Sequence, residues 1–96
     1  MEPVAGTTLH HALFYDYVEN IVERRAPHRE EHLKLVREWR DDGRFVMGGA
    51  LGDPPHGALL VFKVEDPAQV EEFARQDPYV RNDLVTGRRV EPWAVV

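Results

Sequence analysis

Residues 58–64, ALLVFKV, form a nearly unbroken apolar run that reads as a strand following the turn-rich GDPPHG. A strand with no polar alternation is one buried on both faces. This requirement constrains the fold more than any other feature, because something must cover each face. Two amphipathic helices are available. His32, Leu35, Val36 and Trp39 recur at i, i+3, i+4 and i+7, the stripe of a helix that opens at Pro27, runs to about Asp42 and is capped by Gly43. Val70, Phe73 and Ala74 mark a second helix, with Asp66 as its cap and Pro67 at its first position. That helix must stop near Asp77, since Pro78 disfavours helical geometry in the residue before it.

Three further strands complete the order. HHALFYDYV (residues 10–18) turns Leu13, Tyr15 and Tyr17 to one side and Ala12, Phe14, Asp16 and Val18 to the other. RFVMGGAL precedes the GDPPHG turn, and RRVEPWAVV closes the chain. ENIVERRA reads as a connector or a short helical turn, YVRNDLVTG as irregular or a short helical turn, and His10-His11 as a frayed strand end. The sum is β-α-β-β-α-β, the split βαβ of an α+β, ferredoxin-like sandwich. Right-handed crossovers place both helices on one face of the four-stranded sheet. The other face is left apolar and uncovered, which predicts a homodimer joined through it.

Ninety-six residues make one domain, placed at residues 9–96 behind a loose polar lead-in over residues 1–8. The net charge of −5 and the short, acid-flanked cationic pairs Arg24-Arg25 and Arg88-Arg89 argue against nucleic acid as a partner. No apolar run reaches the roughly 18 residues of a membrane helix, so no membrane partner is expected. The absence of cysteine rules out disulfides and thiolate metal sites and suits a reducing cytoplasm. His28 and His32 are four apart but lack a third ligand at the spacing of helical zinc sites, so neither metal nor other cofactor is expected.

Asp77 breaks the pattern. It falls where the Val70–Phe73–Ala74 stripe calls for an apolar residue, and at a helix C-terminus, where the macrodipole opposes negative charge. A carboxylate there costs stability unless it is paired. The other helix offers His32, a member of its own stripe. A carboxylate beside an imidazole fixes the ring's tautomer and stabilises its protonated form, which is how a general base or acid is prepared. The competing reading is a satisfied core histidine and an aspartate that merely ends a helix.

HREEHLKLVREWRDDGRFVMGGAL, followed by VEEFARQDPYV and a closing VEPWAVV, resembles the YciI-related (YCII domain) family over nearly the whole chain. The likeness rests on His32-Leu33 ahead of Gly43-Arg44, on Asp77-Pro78-Tyr79, and on Pro92-Trp93. It implies a dimeric α+β barrel, a His–Asp pair in a pocket at His32 and Asp77, and a pocket wall near Gly48 and Gly49. Relatives that act as dehydrochlorinases on chlorinated hydroxyquinols make a cofactor-independent lyase the implied activity. Tyr79 belongs to the family-like triplet and either lines the pocket mouth or packs behind the proline. Tyr15 is a candidate hydrogen-bond donor into the pocket or a core tyrosine; Arg29 is a candidate contact for an anionic substrate or a solvated helix charge. The expected function is proton transfer by His32 and Asp77 on a small ring-shaped or enolisable molecule. The alternative is a non-catalytic small-ligand-binding or accessory protein in which the pair is structural.

Overall fold

A computed structural model of the chain describes residues 8–96. The lead-in expected at the N-terminus lies outside the described residues, apart from Thr8, with which the first strand opens. The elements are β1 (Thr8–Tyr17), α1 (Ile21–Arg24), a 3-10 turn (Ala26–His28), α2 (Arg29–Asp41), β2 (Phe45–Leu51), β3 (Gly57–Phe62), α3 (Pro67–Gln76), α4 (Pro78–Arg81) and β4 (Val85–Val95). The strands form one antiparallel sheet in the order β2-β3-β1-β4. This is the ferredoxin-like α+β sandwich. Among the described residues no helix is long and apolar enough to cross a membrane.

The two stripes meet the sheet on one side. His32, Leu35, Val36 and Trp39 of α2 and Val70, Phe73 and Ala74 of α3 are buried, and all but His32 share one core with Leu13, Tyr15, Leu60 and Phe62. Phe62 is the hub: the Trp39, Phe45 and Phe73 rings stand edge-on to it at 5.8, 5.6 and 5.0 Å. Such pairs add about 0.5–1.5 kcal/mol each beyond the area they bury. Gly43 ends α2 with φ +86°, a conformation that favours glycine.

The opposite face carries no helix. The strand register puts Ala12 and Phe14, Leu59 and Val61, Met47 and Trp93 on it. Ala12 and Val61 are shielded by their neighbours, whereas Met47 is 61% and Trp93 43% exposed.

Four details depart from the sequence reading. Pro27 sits in the 3-10 turn and the α-helix begins at Arg29, because the His28 N–H bonds to the Arg25 carbonyl at 2.8 Å and tightens the entry. His10 and His11 are not a frayed end. His11 is buried, with its Nδ1 2.8 Å from the Val64 carbonyl oxygen, which ties β1 to the chain leaving β3. β4 begins at Val85 rather than Arg88: Gly87, which reads as part of a turn, pairs with Asp16 beside a β-bulge. β3 covers Gly57–Phe62 and so ends two residues before the apolar run does.

Candidate functional site

Asp77 is placed by the proline after it. Its extended conformation (φ −67°, ψ 119°) ends α3, and the same residue is the N-cap of α4, with its Oδ1 accepting the Tyr79 N–H at 3.0 Å. The objection that a carboxylate sits badly at a helix C-terminus is met by the start of the next helix. Asp-Pro-Tyr is therefore a capping sequence: cap, first-turn proline, and the residue whose N–H is capped.

The carboxylate is fully buried and has two further donors. His32 Nδ1 lies 2.8 Å from Oδ1, and the Tyr15 hydroxyl donates to Oδ2 at 2.8 Å. All three partners donate, the environment that an ionised carboxylate needs when water is excluded. The His32 ring lies flat against Tyr79, centroids 4.0 Å apart and planes within 6°. With Nδ1–H committed to Asp77, Nε2 keeps its lone pair free to accept a proton.

His32 borders a cavity of about 250 Å³ between α2 and the β2–β3 edge. Its apolar wall includes Leu33, Val36, Phe45 and Leu60, and its backbone-lined side is Gly48, Gly49 and Ala50. Gly48 is required there, since a Cβ would come within 2.9 Å of the Phe45 ring and 3.1 Å of the Leu59 carbonyl oxygen. Tyr17, Tyr79, Arg25, Arg29 and Arg40 supply the polar lining. A larger hollow of about 540 Å³, between α1 and the Pro54–His56 turn, is not bordered by His32 or Asp77. Among the described residues no three His, Asp or Glu side chains are placed to hold a metal ion.

His32, Arg29, Gly48, Gly49 and Tyr79 thus border one cavity, with Asp77 directly behind His32. Tyr15 does not border it. Its hydroxyl is spent on Asp77, so it holds the carboxylate and does not reach into the pocket. Sequence reasoning missed three polar lining residues. Tyr17 carried a signal, being on the same face of its strand as Tyr15; Arg40 follows Arg29, Leu33 and Val36 along one helix face. Arg25 carried none, because its placement depends on the 3-10 turn.

Burial, with the Asp77 carboxylate adding to it, pushes the Tyr15 and Tyr17 phenols well above their ordinary pKa. Burial also raises Tyr79, and the nearby Arg29 guanidinium partly opposes it. In the folded chain these tyrosines keep protons that the unfolded chain releases near a pH of about 10. Above that pH the unfolded state binds fewer protons, so stability must fall as pH rises, by about 1.4 kcal/mol per pH unit for each retained proton. Urea unfolding between pH 9 and 11 should show this fall. Tyr15→Phe should start less stable, having lost the bond to Asp77, and then decline less steeply. Parallel declines would show that Tyr15 does not carry the effect.

The same architecture occurs in solved structures. The 5-chloro-2-hydroxyhydroquinone dehydrochlorinase TftG of Burkholderia phenoliruptrix, solved with 2,5-dihydroxybenzoquinone, superposes with a TM-score of 0.73 at 18% identity, covering 88% of this chain and 92% of that one. A dimeric ferredoxin-like protein from an uncultured marine organism gives a TM-score of 0.54 at 19% identity over 94% and 89% of the two chains. At these identities the likeness establishes the fold. In sequence, an uncharacterized protein of Haemophilus influenzae is 25% identical over 97 residues, 92% of this chain and 99% of that protein. The YCII-related domain matches residues 9–94. This span runs from the second residue of β1 almost to the end of β4 and contains both His32 and Asp77, and the chain belongs to the YCII-related family.

Proposed function

We propose that this protein is a small enzyme that transfers a proton with His32 and Asp77 on a one-ring or enolisable substrate, and that it works as a homodimer joined through the open sheet face. One observation carries the catalytic reading: an imidazole that borders a cavity is held at 2.8 Å by a fully buried carboxylate. Asp77 keeps the proton on Nδ1, so Nε2 takes a proton from the substrate and the resulting imidazolium is stabilised by the charge behind it. Elimination is the reaction class that suits a single base. The electron pair of the broken bond to hydrogen becomes the new double bond, and a leaving group such as chloride departs with its own bonding pair. The proton rests on His32 until water removes it. The structural likeness to TftG supports this choice over other proton transfers, and the reaction needs nothing beyond side chains.

A second reading rests on the depth of Asp77. A carboxylate that caps α4 and binds Tyr15 has structural work of its own, so the pair would also serve a non-catalytic ligand-binding protein. Two measurements separate them. Ring nitrogen shifts at pH 8 should show the His32 proton on Nδ1, and a proton on Nε2 would remove the base. Chloride release from 5-chloro-2-hydroxyhydroquinone should fall by roughly 10²–10⁴-fold in His32→Gln. A folded wild type that releases no chloride and abstracts no proton from any enolisable ring substrate leaves only the binding role.

A further inference from the structure

The end of the cavity nearest His32 has a composition that proton transfer alone does not require. No lining residue carries a carboxylate, although the whole chain has a net charge of −5. Three arginines line it, and among the described residues none of the three is joined to an acidic side chain. Guanidinium groups on an acidic protein are ordinarily drawn to its carboxylates, so an unpaired group of them marks a place where negative charge is missing.

Arg25 and Arg29 act together. Both guanidiniums stand close enough to the Tyr17 and Tyr79 phenols to oppose the effect of burial on each of them. The Tyr79 hydroxyl is buried at the cavity wall, near the Arg29 guanidinium but without a well-formed hydrogen bond. Arg40 lies three turns further along α2, about 16 Å along the helix axis, with its guanidinium over the Phe45 ring. It belongs to the far end.

We infer that Arg25, Arg29 and the hydroxyls of Tyr17 and Tyr79 form an oxyanion-binding end to the cavity, so that its ligand is a planar, one-ring organic anion carrying a carboxylate or an acidic ring hydroxyl. The inference rests on the proposed site and names the chemistry of what enters it. Arginine is suited to the task because its planar fork bonds a flat oxyanion in two places while the anion's charge stays compensated. The flat Tyr79–His32 stack and the apolar wall leave room for one ring, since drug-sized ligands occupy pockets of about 300–1,000 Å³. An anion held at this end lies beside His32, and the arginines stabilise the negative charge that develops on the ring as its proton leaves.

The test uses the full chain and two probes of the same shape, benzoate and neutral benzamide, titrated by calorimetry or amide NMR at low salt. Benzoate should bind saturably and more weakly as salt is added, while benzamide should bind far less. Arg25→Gln combined with Arg29→Gln should weaken benzoate by roughly tenfold or more, and Arg40→Gln should change it little. Equal binding of the two probes, an unaffected double variant, or no saturable benzoate binding at all overturns the inference. Benzoate binding is read without turnover, so chloride release without benzoate binding removes only the anion site, and benzoate binding without proton transfer removes only the catalytic reading.

Discussion

Asp77→Ala is expected to lower folding stability by about 3–5 kcal/mol, out of the roughly 5–15 kcal/mol that holds a domain together. The estimate comes from what the substitution strands. The Tyr15 hydroxyl, the His32 Nδ1–H and the Tyr79 N–H all donate to this carboxylate, and each buried donor left unmade costs about 1–3 kcal/mol. Water entering from the cavity can satisfy the His32 side, which keeps the total below the sum. Loss of the α4 cap contributes about 1 kcal/mol of it. Asp77→Asn should behave differently, for a geometric reason. The Tyr79 N–H can only donate, so the amide oxygen must occupy the Oδ1 position, and the amide NH₂ then faces Tyr15, whose hydroxyl can rotate to accept. That arrangement keeps the His32 proton on Nδ1 and preserves most of the stability. What it removes is the negative charge behind the ring. Proton transfer should therefore drop by about 10²-fold or more in a variant that still folds, with the tautomer unchanged by NMR. Urea unfolding and the rate of chloride release, measured on both variants, separate the two roles. A stability loss under about 1 kcal/mol in Asp77→Ala, or an unimpaired rate in Asp77→Asn, would show that the network is not what holds or drives the site.

The sequence shows why Asp77 has to be paired but not everything it is paired with. Helical periodicity places Asp77 and His32 on facing stripes, and Pro78 fixes the point where α3 ends; both are local rules that tertiary packing does not override here. Tyr15 shares its strand face with Leu13 and Tyr17, but alternation gives only the side of a sheet and never the depth. Nothing in the letters shows that Tyr15 reaches the carboxylate while Tyr17, two residues on, reaches the cavity. Arg25 is placed by the short helix and the tight turn that precede α2, where sequence patterns are weakest. His11 reads as a frayed end for the opposite reason. It is a polar residue at a strand end, which ordinarily frays, yet it is held by a carbonyl 53 residues away. Gly87 looks like a turn and is a paired strand residue beside a bulge, because a glycine in a long edge pairing tolerates a change of register as readily as it makes a loop.

Met47→Glu is expected to turn a dimer into a monomer while leaving the fold of each chain intact. Met47 is 61% exposed in the single chain, so a carboxylate there changes little in isolation, within about 0.5 kcal/mol. Face-to-face packing of two sheets alters the balance. The interface is then isologous, so one substitution places two carboxylates in it, each stripped of water beside Leu59, Val61 or their symmetry mates. A penalty of about 3–6 kcal/mol per dimer weakens association by roughly 10²–10⁴-fold. Light scattering should give the wild type about twice the 11.1 kDa chain mass, Met47→Glu a single chain mass, and Met47→Leu no change. The melting temperature of the wild type should rise with protein concentration and that of Met47→Glu should not. A wild type that remains monomeric at high concentration removes the interface altogether. The substitution also reaches the site, through the alternation of one strand. Met47 is on the open sheet face and Gly48 faces the cavity, and β2 is an edge strand hydrogen-bonded to β3 alone. A partner sheet pressed against Met47 is then the second support of the cavity's glycine wall, so the monomeric variant should lose ligand affinity even though it alters no residue lining the cavity.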